Sequence, residues 1–83
     1  MNSVVMKLGE KRIKEICEVG GLGKEDSRIV VEILDEWENL IGKIVEKMEV
    51  AIKKTRSNPN REKIFIVVMR INIEFADATL SIN

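Results

Sequence analysis

The chain has 83 residues, of which 45% are hydrophobic and 34% charged, a composition that folds and excludes a disordered tail. Formal net charge is zero, so the whole molecule has no bulk attraction for nucleic acid or acidic membranes. One cysteine, Cys17, and no histidine exclude an internal disulfide and a zinc site of the usual ligands, and remove the common base of neutral-pH catalysis.

A single domain of this size buries only about 60% of its unfolded surface. With disulfides and metal excluded, oligomerisation is the expected source of further stability. The longest apolar run, Ile64 to Met69, is too short to cross a membrane. The first ten residues lack the apolar core of a signal peptide. An unpaired cysteine suits a reducing, intracellular compartment.

In chain order, residues 1–8 are expected to form an N-terminal arm or a frayed first turn. Residues 9–19 read as a first helix with Ile13, Ile16, Cys17 and Val19 on its apolar side. Gly20 and Gly21 end it, because glycine accepts the left-handed conformation found past helix C-termini. Leu22 is a candidate buried anchor in the connection.

Residues 25–54 read as one central helix. Val30, Leu34, Trp37, Ile41, Ile44, Met48 and Ala51 recur at steps of 4, 3, 4, 3, 4 and 3, a helical stripe. Such a helix is about 45 Å long, against an expected radius of gyration of about 12 Å for the chain. Its stripe therefore asks for a second chain, and Val30, Leu34, Trp37, Ile41, Ile44 and Met48 are the expected dimer interface. Gly42, near the middle, fits either a tolerated glycine on the helix flank or the close approach of a crossing helix.

The stretch Thr55 to Asn60 holds Ser57, Asn58, Pro59 and Asn60, all turn formers. A third helix is expected over 60–71, although the β-branched content of Ile64 to Ile71 also suits a strand. Residues 72–83 stay open between the two. Charge is unevenly spread. Residues 25–38 carry six acidic side chains against Arg28, and residues 53–63 carry Lys53, Lys54, Arg56, Arg61 and Lys63 against Glu62. A smaller basic cluster is Lys7, Lys11, Arg12 and Lys14.

Candidate chemistry is sparse. The carboxylates lie on helix surfaces beside lysines, and Cys17 lies on an apolar face, the setting of an inert structural thiol. Gly20-Gly21-Leu22-Gly23-Lys24 lacks the spacing and the following Ser or Thr of a phosphate loop. No enzymatic activity, cofactor, metal or small-molecule substrate is expected.

The order short helix, long helix, basic loop, short helix resembles the histone fold. Locally, Arg12-Ile13-Lys14-Glu15 resembles the first helix of archaeal histones, and Glu25-Asp26-Ser27-Arg28-Ile29 with Ile33-Leu34-Asp35-Glu36 resembles their central helix. Glu62-Lys63-Ile64 falls where the third helix of that family begins. The resemblance covers about residues 10 to 70. It implies an all-α chain in an intertwined head-to-tail dimer, as a homodimer or a histone-fold heterodimer. It also implies non-specific DNA binding through Arg12, Lys14, Lys24, Lys54, Arg56 and Arg61, alone or within a chromatin or transcription assembly. These residue types suit phosphate contacts, which position a protein without reading sequence. Zero net charge, and Leu22-Gly23 where a DNA-binding member of the family offers an arginine, favour the alternative of a helical protein–protein interaction module without DNA binding.

Overall fold

A computed structural model describes residues 3–40 and 42–80. It is all-helical, with no strand among the described residues, and consists of α1 (Ser3–Leu8), α2 (Glu10–Val19), α3 (Lys24–Glu38), α4 (Ile44–Lys54) and α5 (Arg61–Leu80). The expected arm is thus largely a helix, turned into α2 at Gly9 through a φ of 86°. Its Val4, Val5 and Leu8 lean on the core, which is what orders it; Met1 and Asn2 lie outside the described residues.

The first helix and its ending follow the sequence, except that Val19, expected on the apolar side, sits at the helix end and is 76% exposed. Gly21, at φ 81°, donates its N–H to Glu18 O, and Leu22 donates to Cys17 O at 2.9 Å. This pair of bonds satisfies the last carbonyls of α2 and needs the left-handed glycine. Leu22 is buried beside them. Gly20 serves a different need: a β-carbon there would run into the Val67 side chain of α5.

The central helix is where expectation and structure part. Residues 25–54 do not form one rod. α3 ends at Glu38, with Asn39 as its C-cap, and α4 begins at Ile44. In between, Leu40 N–H bonds to Trp37 O and Lys43 N–H to Leu40 O, and Gly42 stands at φ 76°. The 3–4 stripe continues in sequence across this break, but its two halves face different surroundings. The physical reason is coverage: a rod of about 45 Å exceeds the molecule's longest dimension of 41 Å. Breaking it lets α4 pack back on α3. Asn39 and Gly42, both poor in helix interiors, mark where the break costs least.

α5 is longer than expected. It runs on from residue 71 to Leu80, so the described part of 72–83 is helix and not strand; residues 81–83 lie outside the described residues. Its start is organised by Asn58, whose Oδ1 accepts the Asn60 N–H at 2.8 Å while its carbonyl accepts the Arg61 N–H. Packing against α2 and α3 then overrides the β preference of the Ile–Val run, as tertiary context commonly does.

The core is formed by Ile13, Ile16 and Cys17 of α2, Val30, Ile33 and Leu34 of α3, and Ile64, Val67, Val68 and Ile71 of α5, with Leu22 and Ala51. Thr55 is fully buried, and its hydroxyl donates to Ala51 O at 2.6 Å, so its burial leaves no unmet polar group.

The sign of one substitution tests the break. At φ 76° a β-carbon is strained even though open space surrounds Gly42. Gly42→Ala is expected to lower the unfolding free energy by about 1 kcal/mol, measured by urea denaturation. In an unbroken helix the same change would stabilise by about 1 kcal/mol, so a gain in stability would refute the broken helix.

Candidate interaction surface

α5 carries two apolar stripes. One comprises Ile64, Val67, Val68 and Ile71, all buried, with half-buried Phe75. The other is Ile66, Met69, Ile73, Ala76 and Leu80, at steps of 3, 4, 3 and 4. All five are exposed: Ile66 at 63%, Met69 at 56%, Ile73 at 66% and Leu80 at 72%. A helix apolar on both sides is expected to be covered on both sides, and the chain covers only one.

α4 presents a similar picture. Ala51 is its single buried residue, while Ile44, Val45, Met48 and Ile52 are exposed. α4 and α5 both pack on α3 and leave an apolar groove of about 190 Å³ between them. Trp37 and buried Val68 line it, together with Met48, Ile52, Phe65 and Met69. Trp37 fixes the groove's geometry. Its indole N–H donates to Lys47 O at 2.8 Å, tying α3 to α4, and the Lys47 ammonium lies 6.0 Å from the ring centroid. From Met69 the exposed stripe continues along α5 past Ile73 to Leu80, where Arg70, Glu74 and Asp77 border it. The result is one extended apolar face, larger than scattered exposed residues would give.

The six residues expected at a dimer interface divide on this structure. Val30 and Leu34 are fully buried within the single chain, so neither is available to a partner. Trp37 is half-buried against the same core. Ile44 and Met48 are exposed on the apolar face, and Ile41 lies outside the described residues. The exposed α5 stripe went unrecognised in the sequence, although its 3–4 spacing was present; the β-branched run that suggested a strand obscured it.

The six basic residues are not gathered into one patch. Arg12 donates through Nε and Nη2 to both carboxylate oxygens of Glu74, at 2.6 and 2.7 Å. Lys54 pairs with Glu36 at 3.0 Å and lies 3.8 Å from Glu32. The Arg61 guanidinium lies 5.3 Å from the Phe65 ring centroid. Lys14 and Lys24 are exposed and border one cleft beside Cys17, and Arg56 is exposed on the α4–α5 connection.

That connection is clasped to the start of α3. Asn58 Nδ2 and Asn60 Nδ2 donate to the two carboxylate oxygens of Asp26, at 3.0 and 2.7 Å. The bond from Asn58, then that from Asn60, hold the Asp26 carboxyl below its ordinary pKa; partial burial opposes them and Lys63 assists. Glu74 is lowered in the same direction, first by its bond from Arg12. Burial pushes the Cys17 thiol up, partly offset by a hydrogen bond from Ser27, as expected of a structural thiol. Among the described residues no group of three or more His, Cys, Asp or Glu is placed to hold a metal ion, and no helix is long and apolar enough to cross a membrane. No protein-family model, curated protein or solved structure matches this chain.

The Asp26 clasp sets a pH dependence. Its folded pKa lies below the unfolded value of about 4. Its stabilising contribution is therefore complete above that value and is lost as pH falls through the folded pKa. Wild-type urea midpoints are expected to drop on acidification below about pH 4, with Asp26→Ala less stable at neutral pH and showing a shallower acid decline. Wild-type and variant curves that run parallel through the acid range would exclude the clasp.

Proposed function

We propose that the chain is a helical protein–protein interaction module that docks through the α4–α5 apolar face. One observation carries this: Ile44, Met48, Ile66, Met69, Ile73 and Leu80 are each more than half exposed on two helices that flank a wholly apolar groove. The core is complete without them, so burying them is left to a partner. Helix-in-groove docking with anchors at i, i+3, i+4 and i+7 matches their spacing.

The test separates a docking face from a hidden part of the core. Met48→Glu with Met69→Glu is expected to keep the wild-type helix content by circular dichroism and to abolish any concentration-dependent rise in mass. If instead the variant unfolds while the wild-type unfolding midpoint ignores protein concentration, the face belongs to the core of a monomer, and the proposal falls.

A second reading, a histone-fold dimer binding DNA non-specifically, draws support from one juxtaposition. The two connections that the resemblance brings together from different chains lie side by side within this one. Asp26 holds Asn58 and Asn60, and Gly21 adjoins the Lys63 side chain. Lys24, Arg56 and Arg61 thus share one end of the molecule. An intertwined dimer would further need residues 39–43 to straighten, restoring the 25–54 helix and exchanging α4 and α5 between chains. On this reading duplex DNA of about 30 base pairs binds at low salt, weakens steeply as salt rises, and binds more weakly to Arg56→Glu/Arg61→Glu. Absence of binding at low salt removes it.

A further inference from the structure

We propose that the occupant of the apolar face is a second copy of this chain, docked with α5 antiparallel to α5 about a two-fold axis at the level of Ile71. The proposal rests on the interaction-module reading and adds the partner and its orientation.

Three features carry it. The first is the seam. Ile66, Met69, Ile73, Ala76 and Leu80 repeat with an average spacing of 3.5 residues, which keeps one stripe facing a partner helix along its length. Reversing a copy about the level of Ile71 layers Met69 against Ile73 twice and Ile66 against Ala76 twice, and leaves Leu80 opposite Glu62 at each end. Both layers are apolar, and the second sets a large side chain against a small one, which suits interdigitation.

The second is area. Ile66, Met69, Ile73, Ala76 and Leu80 of α5 are exposed, with Met48 and Ile52 of α4 beside them, and they supply the apolar part of the about 800 Å² that each partner of a stable complex buries. A two-fold dimer uses the same patch on both copies, so this one surface suffices without a further site.

The third is charge. In the antiparallel arrangement exposed Asp77 of each copy comes within reach of Lys63 of the other, whose side chain lies against Gly21 and acts on Asp26 in its own chain and would swing outward to form two ion pairs at the seam's edge. A parallel arrangement instead sets Asn72 beside Asp77 and Phe65 beside Arg70, and forms neither pair. Arg70 approaches its own counterpart across the axis. The Glu74 carboxylate, one turn along and under the influence of Arg70, moderates that repulsion. The reversed copy also brings its own Phe65 to the side on which α4 lies, so that Met48 and Ile52 extend the covered surface.

Two measurements on the full chain test the proposal. Sedimentation equilibrium is expected to give a mass approaching twice 9.5 kDa at concentrations up to about 0.5 mM. Under mild oxidation, Arg70→Cys, near the axis, is expected to form an inter-chain disulfide, and Ala76→Cys, far from its counterpart, is not. Cys17 is fully buried and stays in place. Asp77→Lys should weaken the dimer by about three- to tenfold, the scale of two exposed ion pairs, and adding Lys63→Asp should restore it; a purely local effect of either change gives no such rescue. A mass of 9.5 kDa throughout overturns the second copy as occupant while leaving the interaction-module reading to its own test. A dimer in which Ala76→Cys cross-links and Arg70→Cys does not overturns the antiparallel orientation.

Discussion

The break between α3 and α4 is the constraint on which the rest of the structure depends. With it, α3 becomes the middle of the molecule, packed against α1, α4 and α5, and Val30, Ile33 and Leu34 are sealed within one chain. Without it, α4 would project beyond any surface that 83 residues can supply. The break also decides what stays outside. Once α4 folds back, only Ala51 reaches the core, and Ile44, Val45 and Met48 are left facing outward. The apolar face is thus a consequence of the way the chain shortens its own longest element.

The local signals in the sequence were legible, and the global ones only in part. α2, its left-handed glycine ending and the buried Leu22 could be read because each rests on neighbouring residues and backbone chemistry. Helix over residues 9–54 followed from the 3–4 periodicity, while the all-α class was only what the resemblance implied. The break in the central helix did not, because a stripe at helical spacing is equally compatible with one rod and with two shorter helices. Gly42 stands out in the sequence, but its left-handed backbone depends on α4 having α3 to pack against. The extent of α5 was ambiguous for a similar reason: β-branched residues permit both states, and the choice falls to burial against α2 and α3.

The candidate site divides along the same line. Residue types suited to phosphate were visible in Arg12, Lys14, Lys24, Lys54, Arg56 and Arg61, but their pairing was not. Glu74 is 62 residues from Arg12, and the pairing of Lys54 with Glu36 requires α4 to lie along α3. The stripe from Val30 to Ala51 is real as a pattern, yet Val30, Leu34 and Ala51 are used internally. The second stripe of α5 has the same spacing and is the one left open. Periodicity shows that a face is apolar; only the packing of the other helices shows which chain covers it.

The sparse anchoring of α4 shapes how the fold opens. This helix contributes one buried side chain, is joined to α3 through the Trp37 indole bond and two Lys54 ion pairs, and ends at the sealed Thr55. A helix with one side chain in the core opens at lower cost than the fully buried core helices, and such segments open as separate cooperative units. The backbone amides of α4 therefore exchange with solvent through excursions that leave α2, α3 and α5 intact. Half of the apolar face sits on a helix that has one side chain in the core, so whatever covers that face also holds α4 in place.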